Sequence, residues 1–267
     1  MSRIYSPFRL AGKYFRYYVT AANGKGHGIH SPFVFDFVVS VLNDHGSYPA
    51  YAMIEGLRRR LLEDPSVVLV EDMGAGSAYA ATRSLSVATI ARRASKPRRL
   101  GQLLFRIARR YQPATVLELG TSLGLSAAYL ATGSPDGRVF TLEGAPAVAG
   151  IAEGNLRSLD LDVSVITGGF DETLAPLLER LPGIDLAFVD GNHRCEPTLR
   201  YFDLLVRHAA GSAALIFDDI HWSSEMEAAW TAIKDDPRVY LTIDLFFIGI
   251  VFLREEFKVR QEFIIRF

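Results

Sequence analysis

The chain has 267 residues, 49% of them apolar, with 29 Lys and Arg against 30 Asp and Glu and a formal charge of -1. It is long and apolar enough for a large core, and its neutral balance gives no general bias toward nucleic acid. Cys195 is the single cysteine, so an internal disulfide is excluded and a reducing, cytoplasmic setting is expected; no apolar leader and no run of about 18 uncharged apolar residues occurs, so neither secretion nor a membrane span is expected.

Residues 1 to about 65 are rich in aromatics, among them Tyr5, Phe8, Tyr14, Phe15, Tyr17, Tyr18, Phe33, Phe35 and Phe37, in two or three helical patches. Phe33, Phe37 and Leu42 are spaced to share a helix face. The stretch from Asn23 to Pro32 reads as a loop, with Ser31 placed to cap a helix and Pro32 in its first turn. His27 and His30 lie there with no cysteine or acidic residue at metal spacing, which favours capping or packing over metal ligation. Such an extension packs on a core, builds a subunit contact or covers a substrate pocket.

From Val67 to Ser77 the sequence VVLVEDMGAGS imitates a nucleotide-binding turn through Asp72, Gly74 and Gly76. No apolar strand ending in an acidic residue follows between Ala78 and Lys96, so the stretch is expected to be a turn or short strand pair. Arg92, Arg93, Lys96, Arg98, Arg99, Arg106, Arg109 and Arg110 form one dense basic stretch. A solvated helix face is the favoured reading; a phosphate-bearing substrate or RNA is the alternative. Within it Leu103, Leu104, Ile107 and Ala108 recur at helical spacing, predicting a helix over Leu100 to Arg110.

The organising stretch runs from Ala114 to Glu143. Val116 to Leu119 reads as a buried parallel strand, Gly120 and Gly124 bracket a tight turn at Thr121, Ser122 and Leu123, and Leu125 to Ala131 forms a helix. A second strand, Val139 to Leu142, ends at Glu143, where a carboxylate can accept hydrogen bonds from a ribose diol. The dinucleotide fingerprint needs glycine where this chain has Ser122, so a pyrophosphate is disfavoured. A strand-to-helix connection whose glycines serve packing alone remains the plain alternative.

Beyond Glu143 the chain alternates: helix Ala147 to Leu159, strand Val163 to Thr167, helix Thr173 to Leu181, strand Ile184 to Asp190, helix Thr198 to Ala209, strand Ala213 to Phe217, helix Glu225 to Lys234. Two β-rich runs, Tyr240 to Phe247 and Gly249 to Leu253, then predict an antiparallel hairpin. The fold class is α/β: a Rossmann-like, doubly wound parallel sheet with helices on both faces, preceded by the mainly helical extension. The division drawn from sequence is 1–99 and 100–267.

Ligands of open α/β sheets bind beyond the carboxyl ends of the strands. There the chain places Asp190-Gly191-Asn192-His193 and Asp218-Asp219-Ile220-His221-Trp222. Three converging carboxylates repel one another unless a hard divalent cation intervenes; a helix cap and a structural hydrogen bond are the plain reading of Asp218 and Asp219. Histidine is the side chain suited to proton exchange near neutral pH, so His193 reads either as a general base or as a loop residue. His221 and Trp222 are candidates to line an acceptor pocket, and Trp222 alternatively belongs to the core.

The pattern Glu118-x-Gly120-x-x-x-Gly124 with Glu143 downstream resembles motif I and the following acidic residue of class I S-adenosylmethionine-dependent methyltransferases. DGNH and FDDIHW resemble the metal-dependent O-methyltransferases of the catechol type, and the full chain is similar to a family of uncharacterised bacterial class I methyltransferases. The resemblance implies five parallel strands with a terminal antiparallel hairpin. It implies S-adenosyl-L-methionine held by Glu118, Gly120, Thr121, Ser122, Gly124, Ser126, Glu143, Gly169, Phe170, Asp171 and Asp190, with Phe170 and Asp171 toward the adenine. Asp171 equally reads as a helix cap. It further implies Mg2+ or another divalent cation at Asp190, Asp218 and Asp219, the last standing where the family has asparagine, and a base at His193, where the catechol enzymes have lysine. The expected activity is O-methylation of a small hydroxylated acceptor. Metal-independent N- or C-methylation and a non-catalytic binding or assembly role are the alternatives. The expected partners are the acceptor and, through the extension, a second copy of the chain, with neither nucleic acid nor membrane.

Overall fold

The computed structural model describes residues 4–26, 28–71, 82–254 and 256–267. Helix α1, Pro7–Thr20, starts where the Ser6 side chain accepts from the Arg9 amide, with Pro7 in its first turn. Helix α2, Pro32–Phe37, runs into a π-helical turn, Val38–Leu42, and Phe37 and Leu42 are buried on it. Ser31 stands at the start of α2, but its hydroxyl makes no capping bond. Helix α3, Pro49–Glu63, leads to strands β1, Val67–Glu71, and β2, Thr82–Ser86, which pair antiparallel as the expected short strand pair. The glycine motif from Asp72 to Gly76 and His27 lie outside the described residues.

Ser86 then caps helix α4, Val87–Ala94, and helix α5 spans Arg98–Tyr111. In α5 Leu103, Leu104, Ile107 and Ala108 are buried while Arg98, Arg99, Arg109 and Arg110 are exposed, so most of the basic stretch is a solvated face; Arg106 is buried. The alternation continues with β3 Thr115–Leu119, α6 Leu125–Gly133, β4 Arg138–Glu143, α7 Pro146–Ser158, β5 Val163–Thr167, α8 Phe170–Leu178, β6 Ile184–Val189, α9 Cys195–Arg207, β7 Ala209–Asp218, α10 Ser224–Asp235, β8 Leu241–Asp244, β9 Ile248–Phe252 and β10 Gln261–Ile264.

Several elements differ from expectation: α9 starts at Cys195 rather than Thr198 and ends at Arg207, and β7 begins at Ala209 rather than Ala213. Helix α8 starts at Phe170 rather than Thr173, because Gly169 supplies the cap position and Asp171 and Glu172 in the first turn suit the positive end of the helix. Strand β10 had no counterpart in the sequence reading. It is four residues long, alternates in burial and pairs parallel with β8.

The chain falls into two compact units, Met1–Asp44 with Gly183–Phe267, and His45–Pro182. This division follows contacts and runs along different lines from the sequence division at residue 99. In the second unit β3, β4 and β5 run parallel, with Val116 beside Val139 and Val139 beside Val163. Tyr51, Ile54, Leu57, Ile90, Phe105, Ala128, Tyr129 and Val148 build its core from α3, α4, α5, α6 and α7. In the first unit the order is β10-β8-β9-β7-β6, with β6 and β7 parallel and β8 and β9 forming the expected antiparallel hairpin. There α1 lays Tyr14 and Tyr17 on Phe246.

The contact between α5 and α6 is close enough to require glycine. A Cβ on Gly101 would lie 2.4 Å from a ring carbon of the fully buried Tyr129, whose hydroxyl is itself fixed by donation to Glu55 Oε1 at 2.8 Å. Alanine gains up to about 1 kcal/mol of helix propensity over glycine, whereas overpacking a core costs about 1–3 kcal/mol. Gly101→Ala is therefore expected to lower the unfolding free energy in urea titrations despite the better helix former.

Candidate active site

In the second unit the carboxyl ends of β3, β4 and β5 form a cradle. The Gly120 and Thr121 amides both donate to Leu142 O, at 3.0 and 3.1 Å, folding the chain back across the end of β4. Gly120 and Gly124 take φ of 106° and 84°, as the tight turn demands. Ser122 between them has φ of 48°, a conformation costing a non-glycine residue roughly 1–2 kcal/mol. It is held there by its amide, which donates to Glu143 Oε2 at 2.8 Å, while the Ala145 amide donates to Oε1 at 3.0 Å. Burial raises the Glu143 pKa, and these backbone donors act against it. The Ser122 hydroxyl is buried and has no partner among the described residues, which leaves a polar group for a ligand to satisfy.

Beneath the turn, Thr141 donates to Glu118 Oε2 at 2.5 Å, and the Thr121 and Thr141 hydroxyls are 2.6 Å apart. Thr141 has one proton, so Thr121 is the donor of the second bond. Glu118 is wholly buried and holds the cradle from behind through this chain of hydroxyls. Asn155 on α7 donates to Leu123 O, and the Gly168 amide donates to Glu143 O, tying the next turn to the same strand end. Gly169 occupies the cap position of α8, so Asp171 is a first-turn residue rather than the cap. Phe170 and Ser126 are half-buried, and Asp171 is exposed.

In the first unit the parallel register sets Val189 beside Phe217, so Asp190 and Asp218 follow on neighbouring strand ends. Asp190, His193 and Asp218 each offer one ligand atom, all within 4.8 Å of one another, and His193 Nε2 is 3.6 Å from Asp190 Oδ1. Asp218 is buried, and the other two are half-buried. Two carboxylates and an imidazole are a donor set suited to a divalent cation. Asp219 is not a member of this group. Its backbone takes φ of 55°, its amide donates to Phe247 O, and it lines a small pocket with Leu10, His221, Trp222, Phe246 and Phe247. Neither aspartate caps α10, since Ser223 does so through the Met226 amide.

His221 has a role the sequence did not disclose. Its Nε2 is 2.8 Å from Asp244 Oδ2 and its Nδ1 is 3.1 Å from Glu227 Oε1. Both ring nitrogens face carboxylates, an arrangement that favours the protonated ring. Glu227 is gripped further by Tyr5 Oη at 2.6 Å and Lys13 Nζ at 2.8 Å. Burial disfavours the charge on His221, but Asp244 and Glu227 outweigh it and hold the pKa above its ordinary value.

A methyltransferase-domain family matches residues 117–220, a stretch reaching from the cradle through the Asp190 cluster. The chain is 33% identical over 158 residues to the catechol O-methyltransferase of Mycobacterium tuberculosis, covering 58% of this chain and 68% of that one. It belongs to the S-adenosylmethionine-dependent methyltransferases, related to those of the catechol type. The structure of cofactor-bound Rv0187 from MTB is 25% identical with a TM-score of 0.56, covering 84% of this chain and 98% of that one. The fold is also shared with the SAH-bound methyltransferase PaMTH1 of Podospora anserina, at 17% identity and a TM-score of 0.59, covering 96% and 100% of the two chains.

Two expectations follow for this methyltransferase. Thr141→Val removes the hydroxyl that serves Glu118 and receives Thr121, so stability should fall by about 1–3 kcal/mol in denaturant titrations and cofactor affinity should fall with it, both recovered by Thr141→Ser. The second concerns pH. The folded-state pKa of His221 lies above its unfolded value near 6.5, so its contribution is fully present below about pH 6.5 and is lost as pH rises through the folded value. Unfolding free energies across that range should fall more steeply in the parent than in His221→Gln.

Proposed function

We propose that this methyltransferase methylates a hydroxyl oxygen of a small acceptor, with a divalent cation held by Asp190 and Asp218. The observation that carries this reading is the convergence of Asp190, His193 and Asp218 on one point at the ends of β6 and β7. The chain's similarity to a catechol O-methyltransferase supports an oxygen acceptor.

On this reading Glu143, which retains lone pairs beyond those taken by the Ser122 and Ala145 amides, would accept from the cofactor's ribose diol. The Ser122 hydroxyl would pair with the nucleoside, the Gly120–Gly124 turn would admit the amino-acid end, and Gly169, Phe170, Asp171 and Ser126 would lie toward the adenine. When bound, a divalent cation lowers the pKa of the acceptor hydroxyl and fixes its direction. His193 accepts the hydroxyl proton on Nε2, and the neighbouring Asp190 carboxylate stabilises the resulting imidazolium. Bound S-adenosylmethionine would supply a methyl group activated by its sulfonium, passed to the acceptor oxygen as a new O–C bond while the C–S bond breaks and its electron pair stays on sulfur in the departing thioether. His221 has both ring nitrogens occupied by the Asp244 and Glu227 carboxylates, so neither is open to this proton.

Asp218→Asn separates the parts of the proposal. Turnover should fall at least 100-fold while S-adenosylmethionine affinity by calorimetry stays within about twofold, because Asp218 lies with the cation ligands and Glu143 with the nucleoside ligands. His193→Gln should lower kcat by about 10²–10⁴-fold with divalent-ion affinity unchanged if His193 is the base, whereas a matching loss of ion affinity makes it a third ligand. Undiminished turnover in EDTA and in Asp218→Asn would remove the cation from the reaction.

A further inference from the structure

Helix α1 shows an apolar face that none of the described residues covers. Phe8, Phe15, Tyr18 and Val19 are 91, 70, 51 and 58% exposed, and Ala11 and Gly12 between them are exposed as well. At about 100° per residue these six positions fall within one arc of roughly 120° along the helix. The opposite side is committed inward: Tyr14 and Tyr17 contact Phe246, and Tyr5 and Lys13 are fixed on Glu227. The exposed stripe is thus presented on a helix that is already anchored.

Charge says what fits it. Arg9 and Arg16 flank the stripe on one side and are exposed, and Arg266 lies over the Tyr18 ring, 4.9 Å from its centroid, on the other. Residues 1–35 contain Arg3, Arg9, Lys13, Arg16 and Lys25 and no acidic residue, a charge of +5; the remaining 232 residues hold 24 basic and 30 acidic residues, a charge of -6. A symmetric contact between two copies through this face would set Arg9 and Arg16 against their own kind. An aromatic and aliphatic stripe bordered by arginines, on a short helix, instead matches the headgroup region of an anionic bilayer.

We propose that α1 is a peripheral docking surface for anionic phospholipid bilayers, lying in the plane of the interface with Phe8, Phe15 and Val19 inserted and Arg9, Arg16 and Arg266 at the headgroups. No helix among the described residues is long and apolar enough to cross a membrane, and α1, with 14 residues, is shorter than the about 20 residues that a span requires. The lack of a spanning segment, which argued against a membrane partner in the sequence, does not bear on a helix that lies flat.

The test is sedimentation of the full chain with vesicles of phosphatidylcholine alone or with about one third phosphatidylserine. The chain should bind the phosphatidylserine vesicles at least tenfold more tightly, and raising the salt from about 0.1 to 0.5 M should weaken that binding several-fold. Phe8→Ser with Phe15→Ser should reduce it at least tenfold while circular dichroism and the thermal midpoint stay unchanged, and Arg9→Gln with Arg16→Gln should erase the preference for phosphatidylserine. Equal partition to both vesicles, no binding to either, or full binding by the Phe8 and Phe15 variant would overturn the proposal. So would a dimer in lipid-free buffer that those two substitutions dissolve, since the face would then be a self-contact.

Discussion

Glu143 is the carboxylate on which the second unit's cradle closes. Its two oxygens take the amides of Ser122 and Ala145, and the Gly168 amide reaches the carbonyl of the same residue. Three loops, after β3, β4 and β5, are thereby pinned to one strand end. The left-handed backbone at Ser122 is tolerable because a charge-assisted hydrogen bond is worth about as much as that conformation costs. Glu118, wholly buried, repeats the device one layer down through Thr141 and Thr121, so the turn rests on a carboxylate at each level.

The first unit uses the same economy at the ends of β6 and β7. Parallel strands in register bring consecutive C-terminal residues alongside one another, so an aspartate just after Val189 and one just after Phe217 meet without any loop having to deliver them. Loops decide only what joins the pair. The four-residue segment after β6 returns His193 to within 3.6 Å of Asp190, whereas the backbone turn at Asp219 assigns that side chain to the aromatic pocket with His221 and Trp222.

The parts of this architecture legible in the sequence are those written in local pattern. The strands from β3 to β7 announce themselves as short apolar runs between helical periods, and β5 falls on the expected residues from Val163 to Thr167. Acidic residues at Glu143, Asp190 and Asp218 were legible because a strand end in such a sheet faces the ligand side. What could not be read depends on dihedral angles and distant partners. The departure of Asp219 from the Asp190 cluster turns on a single positive φ, and the commitment of His221 requires Asp244 and Glu227 to be folded against it. Strand β10 escaped notice because a four-residue run with alternate burial is too short to stand out after the charged segment from Arg254 to Arg260.

That last strand gives the extension a second duty. β10 is the outermost strand of the sheet, and the free edge of such a strand offers unpaired backbone groups to any passing chain. Ala22 bridges to Ile265, the Ala22 amide donates to Ile264 O and the Arg266 amide to Ala22 O, while the Tyr17 hydroxyl bonds Ile265 O. The first and last segments of the chain therefore seal one another, and Tyr17, which anchors helix α1 on Phe246, also guards this rim of the sheet against edge-to-edge association.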